Sequence, residues 1–349
     1  MAHNGLNAVF VTRPVSIAYL TGFHAEPHER LMGLVVLPEA STLIVPALER
    51  ERANTNSERA SVLDWRDGED PFELVHEALG TPARLGIEKD HLTVHAAEML
   101  GGEIGRLELV DVAAEIRRLR LCKSPDEVEK LARACAITDA VVDEVMRGLA
   151  PGQSELEVAL HIGAAIGARN ASISFESSVQ FGANSAMPHH DPSDRRLAAG
   201  DLVLLDFGAA VEGYKGDITR MAVVGEPTVR QREVHDLVLR AHDAAIAAAR
   251  PGVTTGQVDA AAREVIDAAG FGDGFFHRVG HGLGLEVHED PSLDPGSHIV
   301  LERGMVFTIE PGIYIPGWGG VRIEDDVVVE SDGCRVLTKA ARNLRLVAS

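Results

Sequence analysis

Five residues of this 349-residue chain stand where hard or borderline divalent cations would be held. Asp206 ends the apolar run Val203-Leu204-Leu205, and Asp217 follows eleven positions on, across a Gly-containing turn. His281 lies in VGHGLGLEVHEDP, Glu310 in VFTIEPGIYI and Glu324 in GVRIEDD. Carboxylates are rarely buried unless they are paired or bind a metal. Singly, each acid has an ordinary explanation: a strand-end cap for Asp206, a turn for Asp217, a pair with Arg322 for Glu324. Together they do not, because four converging carboxylates without a cation repel strongly at low dielectric. Bridging carboxylates can hold two cations about 3.5–4 Å apart with a water between them, which acidifies the water and polarises a carbonyl. The chemistry indicated is hydrolysis.

Three further histidines belong to the picture. His189 sits in MPHHDPSDR, and His288 comes seven residues after His281. Neither is needed as a ligand, so each is a candidate donor to a substrate carbonyl or oxyanion. His277, four before His281, is placed to line the same cleft. Gly280, Gly282 and Gly284 are expected to let backbone and substrate approach closely. They are not a phosphate loop, since no strand-GxGxxG-helix unit with a distal acid surrounds them. His24 and His28 are separated by Pro27, which favours an exposed loop over a ligand pair.

The positioning elements are legible as a repeat. Ser124-Pro-Asp-Glu127 is a helix start with Ser as N-cap, Pro at the first position and Glu closing a capping box. Apolar or small residues at Val128, Leu131, Cys135, Thr138, Val142, Val145 and Leu149 then predict a long amphipathic helix. Ala150-Pro-Gly-Gln-Ser154 opens a second helix, and one hundred positions later Arg250-Pro-Gly-Val-Thr254 opens its counterpart. Each follows a long helix, over 125–149 and 229–249. Gly200–Asp206 matches Gly304–Glu310 in pattern. The two halves therefore read as one helix–helix–strand unit used twice, each strand delivering a carboxylate to a shared cleft. Asp217 and Glu324 follow by 11 and 14 positions, as the next strand of each half would.

Residues 1–118 read as a separate small α/β domain, and 119–349 as the second domain. The first has strands Gly33–Leu37 and Thr42–Val45, helices Phe72–Leu79 and His95–Ile104, and a strand Arg84–Ile87. The basic run Arg117–Lys123 is read as a solvated linker between the two. A formal charge of −20 argues against nucleic acid or an anionic membrane surface as partner. Three widely spaced cysteines indicate a reduced, cytoplasmic protein. The N-terminus has no signal-peptide pattern, and no apolar run reaches the roughly 18 residues of a membrane helix.

The set Asp206, Asp217, His281, Glu310 and Glu324, with HGLGLEVHEDP, TIEPGIY and VRIEDD, resembles the pita-bread metallopeptidases. Within them it resembles the proline-specific branch of aminopeptidase P and prolidase. YLTGF at 19–23 and KSPDEVEKL at 123–131 extend the likeness to nearly the whole chain. The resemblance implies an α/β (α+β) fold: a creatinase/ribonuclease-H-like N-terminal domain, then a pita-bread domain with internal pseudo-twofold symmetry. It implies two divalent metal ions per subunit, Mn or Co before Zn or Fe. Asp206 would bind one metal, Asp217 and Glu324 would bridge both, and His281 and Glu310 would complete the second, with Glu310 also shuttling the proton. His189 and His288 would contact the substrate, a peptide with proline second, and Arg322 would support the site. A homodimer is implied as well.

A methionine aminopeptidase shares the five ligands but usually lacks the N-terminal domain. A metal-free creatinase-like or peptide-binding relative would not keep all five. Within the proline-specific branch, many prolidases carry an Arg four residues after the second histidine that can hold a dipeptide's carboxylate. Here that position is Ser292, which cannot make a bidentate clamp. The expectation is therefore an Xaa-Pro aminopeptidase, with a strict Xaa-Pro dipeptidase as the alternative.

Overall fold

The computed structural model describes residues 5–103 and 107–348. It divides between Arg120 and Leu121 into two compact units. Ile104, the expected last residue of one N-terminal helix, lies outside the described residues.

The first unit runs β1 (Ala8–Val11), α1 (Pro14–Thr21), β2 (Gly33–Val36), β3 (Ser41–Pro46), α2 (Arg50–Asn56), β4 (Ser61–Trp65), α3 (Pro71–Leu79), β5 (Arg84–Ile87), α4 (Val94–Glu103), β6 (Glu108–Asp111) and α5 (Ala113–Leu121). Its strands form a mixed sheet in the order β4-β3-β2-β1-β5-β6. Alternation along β1 sends Val9 and Val11 to one face and Ala8 and Phe10 to the other, and both faces are buried. α1, α2 and α5 cover the first face through Ile17, Ala53 and Ile116. α3 and α4 cover the second through Phe72, Val75 and Leu100. His24 and His28 are exposed in the irregular stretch between α1 and β2, as expected.

The second unit begins with α6 (Pro125–Gly148), capped by Ser124 and Glu127 as the sequence requires, and α7 (Glu155–Gly167), capped by Ser154 and Glu157. Strands β7 (Ser172–Ile173), β8 (Ser178–Phe181), β9 (Leu202–Phe207), β10 (Ala209–Val211), β11 (Tyr214–Lys215) and β12 (Ile218–Val224) follow. α8 (Val229–Ala248) and α9 (Thr255–Ala268) then repeat the helix pair, with the same capping box at Thr254 and Gln257. The chain closes with β13 (His281–Gly282), β14 (Glu289–Ser292), β15 (Val306–Ile309), β16 (Gly312–Ile315), β17 (Gly319–Arg322), β18 (Asp325–Val329), β19 (Cys334–Val336) and β20 (Arg345–Val347).

The repeat read from the sequence has a structural counterpart. β9 pairs antiparallel with β12, and β15 pairs antiparallel with β18. β9 is apolar from Leu202 to Leu205 because both of its faces are covered there. Val203 and Leu205 pack with α6 and α7, while Leu202 and Leu204 pack with α8 and α9. Among the described residues no helix is long and apolar enough to cross a membrane.

Arg117–Lys123 is not a solvated linker. Most of the run belongs to α5, and Arg120 is buried. Lys123 is buried as well, its ammonium 2.7 Å from the equally buried Glu289. A run of charge looks solvent-facing in sequence, but a partner 166 positions away neutralises this lysine.

Arg220 and Asp325 join the two halves. The pair is closed at 2.6 Å with side chains 2% and 0% exposed. Arg220 also donates to the carbonyls of Thr219, Glu324 and Ala340, so it fixes β12 against β18 where two of the candidate carboxylates stand. Asp325 further accepts from Thr338 and Arg342 and lies 3.0 Å from Nε2 of His242. Removing one partner of such a pair strands a buried charge. Arg220→Met is therefore expected to lose about 3–5 kcal/mol of stability, read as a lowered urea midpoint at unchanged slope.

Candidate active site

The site is assembled at the ends of the two antiparallel pairs. Asp206 is the penultimate residue of β9, and Asp217 immediately precedes β12. Glu310 follows β15, and Glu324 immediately precedes β18. His281 opens the short β13, which pairs with β14 on one side and β15 on the other. A cavity of about 1110 Å³ opens over them. Asp206, Asp217, His281, Glu310, Glu324, His189, His277, His288 and Arg322 all line it, so the candidate ligand and substrate-contact side chains reach one space.

Oxygens of Asp217 and Glu324 and a ring nitrogen of His281 lie within 4.8 Å of one another, all three residues buried. Nε2 of His281 is 3.3 Å from Oε1 of Glu310 and 3.8 Å from Oδ2 of Asp217. Its other nitrogen, Nδ1, is 3.2 Å from the carbonyl of Gly282, which can only accept, so Nδ1 carries the proton. Burial, with the neighbouring His288 and Arg278, pushes the His281 pKa down to about 3. The ring is therefore neutral, and its Nε2 lone pair faces carboxylate oxygens. Lone pair against lone pair is repulsive unless a cation lies between them.

The carboxylates report the same strain. Burial and then Glu324, Asp206, Asp326 and Glu310 hold Asp217 well above the usual range. Burial and then Glu310 and Asp206 do the same to Glu324. Glu310 is pushed up to about 7, chiefly by burial, although Arg322 opposes the shift. Oδ1 of Asp217 is buried with no hydrogen-bond partner. A neutral imidazole, an orphaned carboxylate oxygen and mutually repelling acids form a donor set that fits divalent cations.

Each half uses a threonine to hold its acid. Thr219 donates to Oε2 of Glu324 at 2.6 Å and accepts from Arg322. Thr308 donates to Oε1 of Glu310 at 3.3 Å and accepts the His281 N–H. The Glu310 N–H is bonded to the Val279 carbonyl at 2.7 Å, and the Asp217 N–H to Oδ2 of Asp326 at 2.9 Å.

Arg322 pairs with Asp206 at 2.5 Å, not with Glu324. It also donates to Tyr314 at 2.9 Å, whose hydroxyl lies 3.1 Å from Nε2 of His277. Nδ1 of His277 donates to the Arg278 carbonyl at 2.7 Å. Tyr314 therefore accepts from Arg322 and donates to His277, leaving both nitrogens of that histidine engaged by the protein. Burial first, then Arg322, lowers the His277 pKa to about 4, so the ring is neutral. His288 makes an edge contact with His281 at 4.2 Å between ring centroids, and burial lowers its pKa too.

Gly280 and Gly282 serve the protein rather than a substrate. A Cβ on Gly280 would overlap the Thr308 carbonyl, and one on Gly282 the Asp290 carbonyl. They let β13 press between its neighbours, and neither lines the cavity. Sequence reasoning also passed over Tyr314, Thr219 and Thr308, which hold the ligand-bearing side chains. Their signal was adjacency: each lies within five residues of a singled-out acid.

The description "Metallopeptidase family M24" fits residues 129–331, and "Creatinase/Prolidase N-terminal domain" fits residues 1–122. The chain is 39% identical over 346 residues to an Xaa-Pro dipeptidase of Lactobacillus helveticus, covering 97% of this chain and 94% of that one. It superposes on the prolidase from Pyrococcus furiosus with a TM-score of 0.89 at 38% identity, covering 98% and 99%. It superposes on the X-Pro aminopeptidase from Thermotoga maritima MSB8 with a TM-score of 0.90 at 30% identity, covering 98% of each.

The crowding of acids predicts a specific response to cations. Mn²⁺ added to chelator-treated protein is expected to raise its melting temperature, by about 2.7 kcal/mol of stabilisation when free ion is 100-fold above Kd. Asp217→Ala removes one repelling acid and is expected to abolish that rise without lowering the melting temperature of the metal-free protein. A preserved rise in this variant would take Asp217 out of the cation site.

Proposed function

Because the chain belongs to metallopeptidase family M24, we propose that it is an Xaa-Pro dipeptidase working with two divalent cations, Mn or Co. The observation that carries this reading is the neutral His281 whose lone pair faces Glu310 and Asp217 in a cavity that also takes in Asp206 and Glu324. Asp206, Asp217, His281, Glu310 and Glu324 would hold the cations. When bound, such cations acidify water and polarise the scissile carbonyl.

The protein's own groups divide the remaining work. Glu310, with a pKa near 7, is suited to take a proton from the attacking water and pass it to the proline nitrogen as the C–N bond breaks. His189 and His288 line the cavity on imidazole edges able to donate to the carbonyl oxygen as charge develops there. Arg322 steadies Asp206, and through Tyr314 it steadies His277, which we assign to positioning rather than to substrate contact. An X-Pro bond offers no N–H, so recognition that relies on that donor fails on it. A cleft that grips the carbonyl does not need one. A homodimer belongs to the same reading and is read by light scattering.

Substrate length is where the sequence-based expectation is revised. Ser292 had favoured an aminopeptidase over a dipeptidase. The more similar relatives are named Xaa-Pro dipeptidase and prolidase, at 39% and 38% identity, against 30% for the aminopeptidase. The fold does not separate them, because the TM-scores of 0.89 and 0.90 are equivalent.

Two measurements test the reading. Turnover of Ala-Pro should exceed that of Ala-Pro-Ala under the same metal by tenfold or more, and the reverse order would restore the aminopeptidase. Glu310→Gln should lower kcat on the order of 10²-fold or more with a smaller change in KM. A change confined to KM would remove the proton-transfer role.

A further inference from the structure

The His288 ring stands exposed in the cavity with an edge contact to His281, and among the described residues no hydrogen bond holds it. Its place is therefore set by its backbone. The ladder does not set it alone: one step along β13, from Gly282 to His281, spans Glu289 to Ser292 on β14. Such an irregular register leaves the aim of a neighbouring side chain to other contacts. Glu289, the next residue, does not line the cavity, and its side chain is only 4% exposed. Its carboxylate closes the loop that carries the histidine. Oε1 accepts from the Lys123 ammonium at 2.7 Å, and Oε2 lies 3.4 Å from the Glu286 N–H. The carboxylate rests on Gly284, where a Cβ would stand 2.4 Å from Oε1. The Gly284 carbonyl in turn accepts from the Lys215 N–H at 2.8 Å. Lys123 is itself anchored: its N–H donates to the Gly304 carbonyl at 2.8 Å, and the Gly304 N–H donates to the Val329 carbonyl at 3.0 Å. Gly304 takes φ 91° there, and a Cβ on it would meet the Lys123 carbonyl at 2.9 Å.

We propose that Lys123 and Glu289 are positioning residues for His288: the buried pair fixes the loop 284–289 and with it the direction in which the imidazole meets the scissile carbonyl. The proposal rests on the peptidase reading above and on the role given there to His288. A buried ion pair is weak evidence for stability, since apolar side chains of like volume often fold as well. An ammonium and a carboxylate closed at 2.7 Å nevertheless admit one arrangement of the loop, where an apolar pair would tolerate several. A donor to a developing oxyanion works only when it is aimed, and a misplacement of about 1 Å can cost on the order of 10²-fold in rate. Neither Lys123 nor Glu289 lines the cavity, so the pair acts on the reaction through the histidine.

The test is a double-mutant cycle on Mn²⁺-loaded protein with Ala-Pro as substrate, kcat being expressed per bound Mn²⁺. Lys123→Met and Glu289→Gln are each expected to lower kcat about tenfold or more and to move KM by less than about twofold. His288→Ala is expected to lower kcat on the order of 10²-fold. In the His288→Ala background, Lys123→Met should cost less than about twofold further, because the group it positions is gone. Lys123→Arg, which keeps the charge, should recover most of the lost kcat. Mn²⁺ should raise the melting temperature of every variant as it does that of wild type. Losses that multiply fully across the cycle overturn the proposal, as does a lowered melting temperature at wild-type kcat; either makes the pair a structural tie. A weakened response to Mn²⁺ in Lys123→Met overturns it as well, by moving the effect to the ligands. His288→Ala turning over at the wild-type rate leaves nothing to aim and overturns it too. Glu289→Gln keeps the volume and an acceptor, so it carries the same test where Lys123→Met does not fold. Wild type that leaves Ala-Pro uncleaved overturns the peptidase reading and this proposal with it, whereas every other adverse outcome spares the peptidase.

Discussion

The Nε2 lone pair of His281 faces Glu310 and Asp217 across 3.3 and 3.8 Å with no proton to share, and much of the second unit is arranged around that repulsion. The Gly282 carbonyl holds the only ring proton on Nδ1, and burial keeps a second proton off. Burial first, and then the neighbouring acids, hold Asp217 and Glu324 far above ordinary carboxylates, so the oxygens around that lone pair are crowded as well. A divalent cation relieves it fully by serving the lone pair and the oxygens together. Readiness for a cation and crowding of like charge are thus one fact.

A cluster this unfavourable needs a scaffold that does not yield, and the scaffold is itself polar. Arg220 ties the carbonyls on either side of the site while Asp325 neutralises it. Arg322, Tyr314 and His277 form a second chain, running from Asp206 to the backbone of residue 278. In these chains each arginine meets acceptors and the ring of His277 is neutral, so they order the site without adding uncompensated charge. The two threonines complete the pattern, Thr219 and Thr308 each turning one acid toward the cavity.

Periodicity and capping chemistry made the repeated helices legible, since Ser154 and Thr254 announce their helices a hundred residues apart. The strand-end acids are legible as a set, because four such carboxylates at matching places of two halves have few other uses than holding a cation. What escaped was whatever depends on pairing between distant strands. Lys123 looked solvated because its partner, Glu289, lies 166 positions away. Gly280 and Gly282 read in the sequence as room for substrate, yet the Thr308 and Asp290 carbonyls fill that room. Arg322 was set beside Glu324 by proximity in sequence, but Asp206, from the other half of the repeat, takes its guanidinium.

Positions 278 and 292 carry this lesson furthest. A motif read along the chain treats position 292 as the place where a cation is present or missing. In an antiparallel pair, side chains on facing strands share one volume, and either strand can fill it. In β14, Ser292 faces His281 of β13, and its hydroxyl also accepts from Arg278, three residues before that strand. The cation missing at position 292 in the sequence is therefore present beside it in space, supplied by the segment that leads into β13.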